Sequence, residues 1–227
     1  MPKTLNRPKE SSLMSNYSRS DLAFVRGKGV WLFDKKGKMF LDLASGIAVN
    51  SLGHSHPRLV KVLVDQGSKL WHTSNLYTVP NQEKLAKLLT NNTFAEKVFF
   101  TNSGAESVEC AIKTARRFFF SMGQSERNRI ISFDGAFHGR TMGTISAAGS
   151  KKLVEGFGPK LPGFDPVKNF SLESVEKKIS RRTCAILVEP ILGEGGIVPL
   201  TCSFLKGLKN LCEKYNLLLI FDEVQSG

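Results

Sequence analysis

Four short segments of this 227-residue chain carry side chains that could do chemistry. The most telling is Asp222-Glu223-Val224-Gln225, an acidic pair directly after the wholly apolar run 217–221. An acid in that place has two well-known uses. It is either the magnesium-binding residue of a P-loop nucleotidase or the carboxylate that pairs with a protonated pyridine nitrogen. The nucleotidase needs G-x-x-x-x-G-K-[ST] upstream, and neither Gly27-Lys28 nor Gly37-Lys38 fits. The second segment is Thr101-Asn102-Ser103-Gly104-Ala105-Glu106, placed just before a helix. A tight glycine turn, a hydroxyl and unpaired helix N–H groups make an anion site suited to a phosphate. The same residues also read as an ordinary Ser cap followed by a first-turn acid. The third, Phe137-His138-Gly139-Arg140-Thr141, sets an aromatic that could stack on a planar ligand beside an arginine that could grip a carboxylate. A core Phe next to a surface Arg is the plainer alternative. The fourth, Glu189-Pro190 with Gly193-Glu194-Gly195-Gly196, reads as a flexible acidic loop or simply a turn.

These segments need elements to hold them, and the hydrophobic pattern supplies candidates. Residues 22–42 alternate in short apolar runs around Gly27, Gly29 and Gly37, which predicts a small strand meander. Pro57 opens a helix with Leu59, Val60, Leu63, Val64 and Leu70 at helical spacing, and a second short helix runs near 82–89. From there strand, loop and helix alternate. Strands are predicted at 97–101, 129–133, 184–188 and 217–221. Helices are predicted at 105–120, 172–179 and 204–215, the first with Val108, Ile112, Ala115 and Phe119 on one face. Continuously apolar strands separated by amphipathic helices predict an α/β fold, a mainly parallel sheet with helices on both faces. In such sheets ligands bind at the carboxyl ends of the strands, which is where all four segments fall.

Composition excludes several classes. With 41% hydrophobic and 23% charged residues the chain can bury a core, which rules out a disordered or collagen-like chain. No stretch approaches the roughly 20 apolar residues of a membrane span. The net charge of +12 is uneven: residues 1–38 hold nine basic and three acidic side chains. Those charges surround a turn between apolar strands and lack aromatic stacking platforms, so no nucleic-acid partner is expected. Cys110, Cys184, Cys202 and Cys212 show no metal-like spacing and are expected as reduced, mostly buried thiols. No metal is expected. The first 20 residues lack an apolar core, which argues against a secretory signal and for a cytoplasmic protein, with Met1 or Met14 as the start.

Taken in order, the motifs resemble the class III pyridoxal-phosphate aminotransferases. The resemblance runs from Tyr17 to Gly227 and rests on the 46–57 stretch Gly-Ile-Ala-Val-Asn-Ser-Leu-Gly-His-Ser-His-Pro, on Ser74-Asn75-Leu76-Tyr77, and on the four segments above. It implies a fold-type I (aspartate aminotransferase-like) architecture. Residues 1–56 would be part of a small domain and 57–227 an incomplete large cofactor-binding domain. By resemblance Ser103, Gly104 and Ala105 cradle the phosphate of pyridoxal 5'-phosphate, Phe137 stacks on its ring, and Asp222 pairs with the ring nitrogen. Glu223 belongs to the same motif, Val224 presses on the other ring face and Gln225 bonds the ring hydroxyl. Arg140 is implied as the clamp on the substrate carboxylate, Glu194 as an acidic gate and Tyr77 as a further substrate contact. His54 and His56 are implied to be structural.

The implied partners are an amino acid and a 2-oxo acid, and the family acts as a homodimer. Within the class, the aliphatic 46–50 run resembles the branch acting on N2-acetylornithine with 2-oxoglutarate, in arginine biosynthesis. Ornithine, succinylornithine, succinyl-diaminopimelate and 4-aminobutyrate stay open as donors. The family's Schiff-base lysine lies beyond the Asp-Glu-Val-Gln motif, in a segment that these 227 residues do not contain. The chain is therefore expected to be an N-terminal portion of such an enzyme, inactive alone. The competing expectation is a lysine-less partner that binds an intact homologue.

Overall fold

The computed structural model describes residues 12–227, which form two compact units divided between Val79 and Pro80. In the first, β1 (Phe24–Lys28), β2 (Trp31–Asp34) and β3 (Met39–Leu41) form the expected antiparallel meander. The turn α1 (Ser45–Ala48) and the helix α2 (Pro57–Gly67) follow, with Pro57 at the first helical position as anticipated. The loop at 53–56 is tied to the meander. Gly29 and His54 exchange backbone hydrogen bonds, and His54 Nε2 lies 2.7 Å from Asp42 Oδ2. An added Cβ on Gly27 would sit 2.6 Å from His54 Cγ, so only glycine admits the imidazole there. His54 thus braces the loop, whereas His56 Nδ1 is buried without a hydrogen-bond partner. No residue of 12–79 is fully buried, and Leu59, Val60, Leu63 and Val64 of α2 are all exposed.

The second unit is a helix-covered parallel sheet. Its elements are α3 (Pro80–Asn92), α4 (Gly104–Ser121), β4 (Arg129–Phe133), α5 (Met142–Ala147), α6 (Lys151–Val154), β5 (Phe164–Val167), α7 (Leu172–Glu176) and β6 (Thr183–Val188). The small hairpin β7 (Ile191–Leu192) and β8 (Val198–Pro199), then α8 (Cys202–Tyr215) and β9 (Leu218–Phe221), complete it. The sheet order is β5-β4-β6-β9, all parallel. Two apolar layers cover it. Val108, Ile112, Ala115 and Phe119 of α4 pack with Ile130, Ala185 and Leu187. On the other face Phe204, Leu208, Leu211 and Cys212 of α8 pack with Ile131, Phe133, Ile186 and Val188. β6 is buried along its whole length, as its uninterrupted apolar sequence requires.

Two expectations are corrected. Residues 97–101 form no strand, because no neighbouring strand among the described residues pairs with them. β5 was not anticipated, since Asp165 and Pro166 break its apolar pattern. Proline is tolerated because β5 is an edge strand. Thiol burial is also mixed: Cys184 and Cys212 are buried, Cys202 is exposed and Cys110 lies between. Burial pushes the Cys184 thiol up to about 11 and Cys212 up to about 12, which makes both unreactive. No helix among the described residues is long and apolar enough to cross a membrane.

Candidate active site

The register of the sheet decides where the site lies. Val188 aligns with Phe221 and Phe133 with Val167, so the four strands end together. Asp222 N–H still donates to the Val188 carbonyl at 2.9 Å, and the chain then turns out of the sheet. The residues immediately beyond those ends are Asp134, Glu189 and Asp222, and the four motif segments converge there.

Asp222 is the centre of this group. Its side chain is 4% exposed and Oδ2 lies 2.7 Å from Nδ1 of His138, whose side chain is fully buried. Oδ1 accepts the Val224 N–H at 3.2 Å. The carboxylate is therefore held from two sides, by a residue 84 positions away and by its own turn. His138 Nε2 is buried with no hydrogen-bond partner.

The turn after β9 leans on the start of α4. A Cβ added to Gly104 would lie 2.4 Å from Cγ1 of Val224, so the glycine is what lets Val224 approach the helix terminus. Ser103 caps α4: its hydroxyl accepts the Glu106 N–H at 3.2 Å. The Gly104 and Ala105 N–H groups precede the first intrahelical bond and point out of the helix end. Asn102 N–H is tied to Glu106 Oε2 at 2.7 Å, which fixes the approach of the chain to the helix.

The 137–141 loop closes from the other side. Gly139 has φ +119°, and its missing Cβ would meet Ala105 Cβ at 2.8 Å, so this loop also rides directly on the helix start. Thr141 caps α5 and donates from Oγ1 to Glu109 Oε1 of α4 at 2.5 Å. Phe137 donates its N–H to Glu189 Oε2 at 2.8 Å, and Gly193 N–H approaches Glu189 Oε1 at 3.5 Å. Burial pushes the Glu189 carboxyl above the usual carboxylate range, and the Phe137 N–H bond pulls part of the way back. Arg140 is exposed, with its guanidinium carbon 5.7 Å from the Phe137 ring centre.

The structure thus gathers Ser103, Gly104, Ala105, Phe137, Asp222, Val224 and Arg140. Glu194 sits exposed in the β7–β8 turn, Gln225 lies close to Gly193, and Glu223 is exposed with its carbonyl accepting from Gly227. Tyr77 belongs to the first unit, where its N–H donates to the Ser74 carbonyl at 3.0 Å. Two residues of the constellation were not singled out from the sequence as site residues, His138 and Glu189. No spacing rule joins His138 to Asp222. The only available hint was that a histidine and an acid each follow a strand of one parallel sheet.

The donor set fits pyridoxal phosphate. Two open N–H groups and a hydroxyl at a helix terminus suit a dianionic phosphate, and a buried, doubly held carboxylate suits a pyridinium nitrogen. Fold and site together define the second unit as part of the large domain of a pyridoxal-phosphate-dependent transferase.

Comparison with known proteins gives the family. Residues 14–227 match the model of the family described as aminotransferase class-III. The acetylornithine aminotransferase of Agrobacterium fabrum is 57% identical over 215 residues, which are 95% of this chain and 54% of that protein. The N-acetylornithine aminotransferase structure from Stenotrophomonas maltophilia superposes with a TM-score of 0.78 at 37% identity, over 94% of this chain and 53% of that one. A Toxoplasma gondii ornithine aminotransferase structure, with pyridoxal phosphate partly occupying its active site, superposes with a TM-score of 0.89. That match is 28% identical and covers 95% of this chain and 51% of the other. The chain belongs to the class-III aminotransferases, and its cofactor class is pyridoxal phosphate. It spans about half the length of the curated relatives it matches.

Proposed function

We propose that this chain supplies the cofactor-binding half of an enzyme that transfers the amino group of N2-acetyl-L-ornithine to 2-oxoglutarate. The observation that carries the reading is the buried His138–Asp222 pair set beside the open start of α4. The substrate choice rests on likeness to relatives named acetylornithine aminotransferase.

In this reading Ser103, Gly104 and Ala105 bind the phosphate, and Phe137 and Val224 flank the ring from its two faces. When bound, the cofactor provides an electron sink for the substrate carbanion. Asp222 keeps a proton on the ring nitrogen, and His138 holds Asp222 in place. Glu223 and Gln225 complete the motif, with Gln225 on the ring hydroxyl. Arg140 orients the amino acid through its α-carboxylate. Glu194 acts as an acidic gate as amino and 2-oxo acids alternate, and Tyr77 adds a substrate contact. Residues 1–56 contribute to a small domain and 57–227 to the large one. The whole enzyme is a cytoplasmic homodimer in arginine biosynthesis, and in this reading the 227 residues are inactive by themselves, the Schiff-base lysine being assigned to the part of the relatives that they do not match.

The test is to produce this chain together with the polypeptide matching the rest of the A. fabrum relative, then measure glutamate formation from 2-oxoglutarate. Acetylornithine should outperform ornithine and 4-aminobutyrate, and Arg140→Ala should lose most of the turnover. Preference for ornithine would overturn the substrate, and undiminished turnover by Arg140→Ala would overturn the clamp.

A further inference from the structure

The small hairpin that carries Glu194 has little of its own to hold it. β7 and β8 contribute two residues each, and an isolated pair of strands is marginal in water. Its turn is also strained, because Ile197, a β-branched residue, sits at φ +57°. Such a conformation persists only where the surrounding structure imposes it. The base of the hairpin is secured by Leu192, which is buried, and by the Leu200 N–H, which donates to the Pro190 carbonyl at 2.9 Å. The turn itself lies against the loop after β4: a Cβ on Gly195 would stand 3.4 Å from the Gly135 carbonyl oxygen.

Glu189 joins the hairpin to that loop. It follows β6, an interior strand of the sheet, and is 5% exposed. Its two oxygens serve different segments: Oε2 accepts the Phe137 N–H at 2.8 Å, and Oε1 faces the Gly193 N–H at 3.5 Å. Burying a carboxyl group is costly unless its oxygens are used. A carboxylate accepts in both directions, whereas an amide of the same shape accepts on one side only. The two arms are unequal. The short one fixes Phe137, and the long one restrains the hairpin while leaving it room to yield.

We propose that Glu189 is a positioning residue for transamination, a tether that places the Glu194 hairpin relative to the loop carrying Phe137 and Arg140. The inference rests on the roles proposed for Glu194 and Phe137. Glu189 acts through the two backbone N–H groups and touches neither cofactor nor substrate. The slack in its longer arm suits a gate that must shift as amino and 2-oxo acids alternate.

The test uses Glu189→Gln in the assembled enzyme. The amide oxygen stays with the closer Phe137 N–H, and the NH2 group then faces Gly193, whose N–H it cannot accept. Amide hydrogen exchange followed by mass spectrometry should speed up by about fivefold or more across 191–199 and stay unchanged across 135–141. Glu189→Ala, which frees both N–H groups, should speed exchange in both segments. The KM values for acetylornithine and 2-oxoglutarate should rise about fivefold in Glu189→Gln with kcat within about twofold of the parent. That rise should vanish when Glu194→Ala is already present. Unchanged exchange across 191–199 in both variants, or an equal rise in KM with and without Glu194→Ala, would overturn the proposal. The exchange readout needs neither cofactor nor substrate. Faster exchange across 191–199 without any change in KM would therefore count against the gating role of Glu194 and support the tether.

Discussion

The sharpest test of the site is Gly104→Ala paired with Val224→Ala. An alanine Cβ at 104 would stand 2.4 Å from Val224 Cγ1, 3.1 Å from Cγ2 and 3.3 Å from Cβ. Carbon pairs rest at about 3.5–4.0 Å. Rotating Val224 about χ1 moves its methyls but leaves the 3.3 Å contact, so the whole 222–225 turn must also shift by a few tenths of an ångström. The off-rotamer cost is about 0.5–1.5 kcal/mol, and overpacking in general costs about 1–3 kcal/mol. Val224 is 62% exposed and yields outward, which favours the lower half of that range. Alanine also gains up to about 1 kcal/mol in helix propensity, less at a first helical position. The two effects oppose each other in global stability, so an unfolding midpoint is the wrong readout. Cofactor affinity is free of the helix-propensity gain, and alanine keeps the 104 N–H assigned to the phosphate, so the coupling between the two substitutions isolates the displaced turn. In the assembled protein Gly104→Ala should weaken pyridoxal phosphate about tenfold, equivalent to about 1.4 kcal/mol. The double variant loses both methyl clashes and keeps only the 3.3 Å Cβ contact, so it should recover most of the loss relative to Val224→Ala alone, a coupling of about 1 kcal/mol. Strict additivity of the two substitutions in a cofactor titration would refute the close-approach argument.

Glu189→Ala strips the acceptor from the Phe137 N–H and should cost about 1–3 kcal/mol in denaturant unfolding. Glu189→Gln keeps one acceptor for that N–H and removes the cost of burying a charge, so it should lie within about 1 kcal/mol of the parent. Because the folded Glu189 pKa is raised, the native state holds its proton more tightly than the unfolded chain. The parent should therefore gain stability relative to Glu189→Gln as pH falls through that raised value, and a constant difference from pH 8 down to pH 4 would contradict this. Arg129 grips Asp165 with two hydrogen bonds across the β4–β5 pair, and the carboxylate holds the guanidinium pKa above its ordinary value. Both side chains are mostly buried, so Asp165→Ala should cost about 1–3 kcal/mol, and less than about 0.5 kcal/mol would show the pair to be ornamental. In the first unit, the hydrogen bond from His54 holds the Asp42 carboxyl below its ordinary 3.8, aided by the Ser45 N–H. Its bracing of the loop persists above that pH and is lost as pH falls through the depressed value. An NMR titration of the Asp42 carboxyl should move back toward 3.8 in His54→Ala, and an unmoved midpoint would refute the assignment.

Elements with a regular or uninterrupted apolar pattern were legible to within a residue or two. The face Val108, Ile112, Ala115 and Phe119 and the strands β4, β6 and β9 follow from apolar periodicity alone. The misreadings share one cause: strand formation needs a neighbour, and local sequence does not record one. Residues 97–101 have strand composition without a pairing partner, whereas Phe164–Val167 has a partner in β4 without strand composition. Within the site, the glycine contacts and the His138–Asp222 bond join residues far apart in the chain. The sequence offered their types, and only the register of the parallel sheet brings them together.

That register also explains why the cofactor class was legible before the substrate. Asp222 is fixed by His138 and by its own turn, while Gly104 and Gly139 bring Val224 and the 137–141 loop onto the start of α4. Every one of these contacts lies within one folded unit, so the groups assigned to the phosphate and ring nitrogen are preorganised. Arg140 and Glu194, assigned to the substrate, are exposed and no comparable set of contacts locks them in place. Tyr77 belongs to a separate unit. A carboxylate clamp of that kind acquires its direction only when neighbouring chain restricts it. Discrimination among acetylornithine, ornithine and related donors should accordingly respond more to changes in the polypeptide that packs around Arg140 and Glu194 than to changes around Asp222. Substitutions around Asp222 should alter turnover of all donors by a common factor.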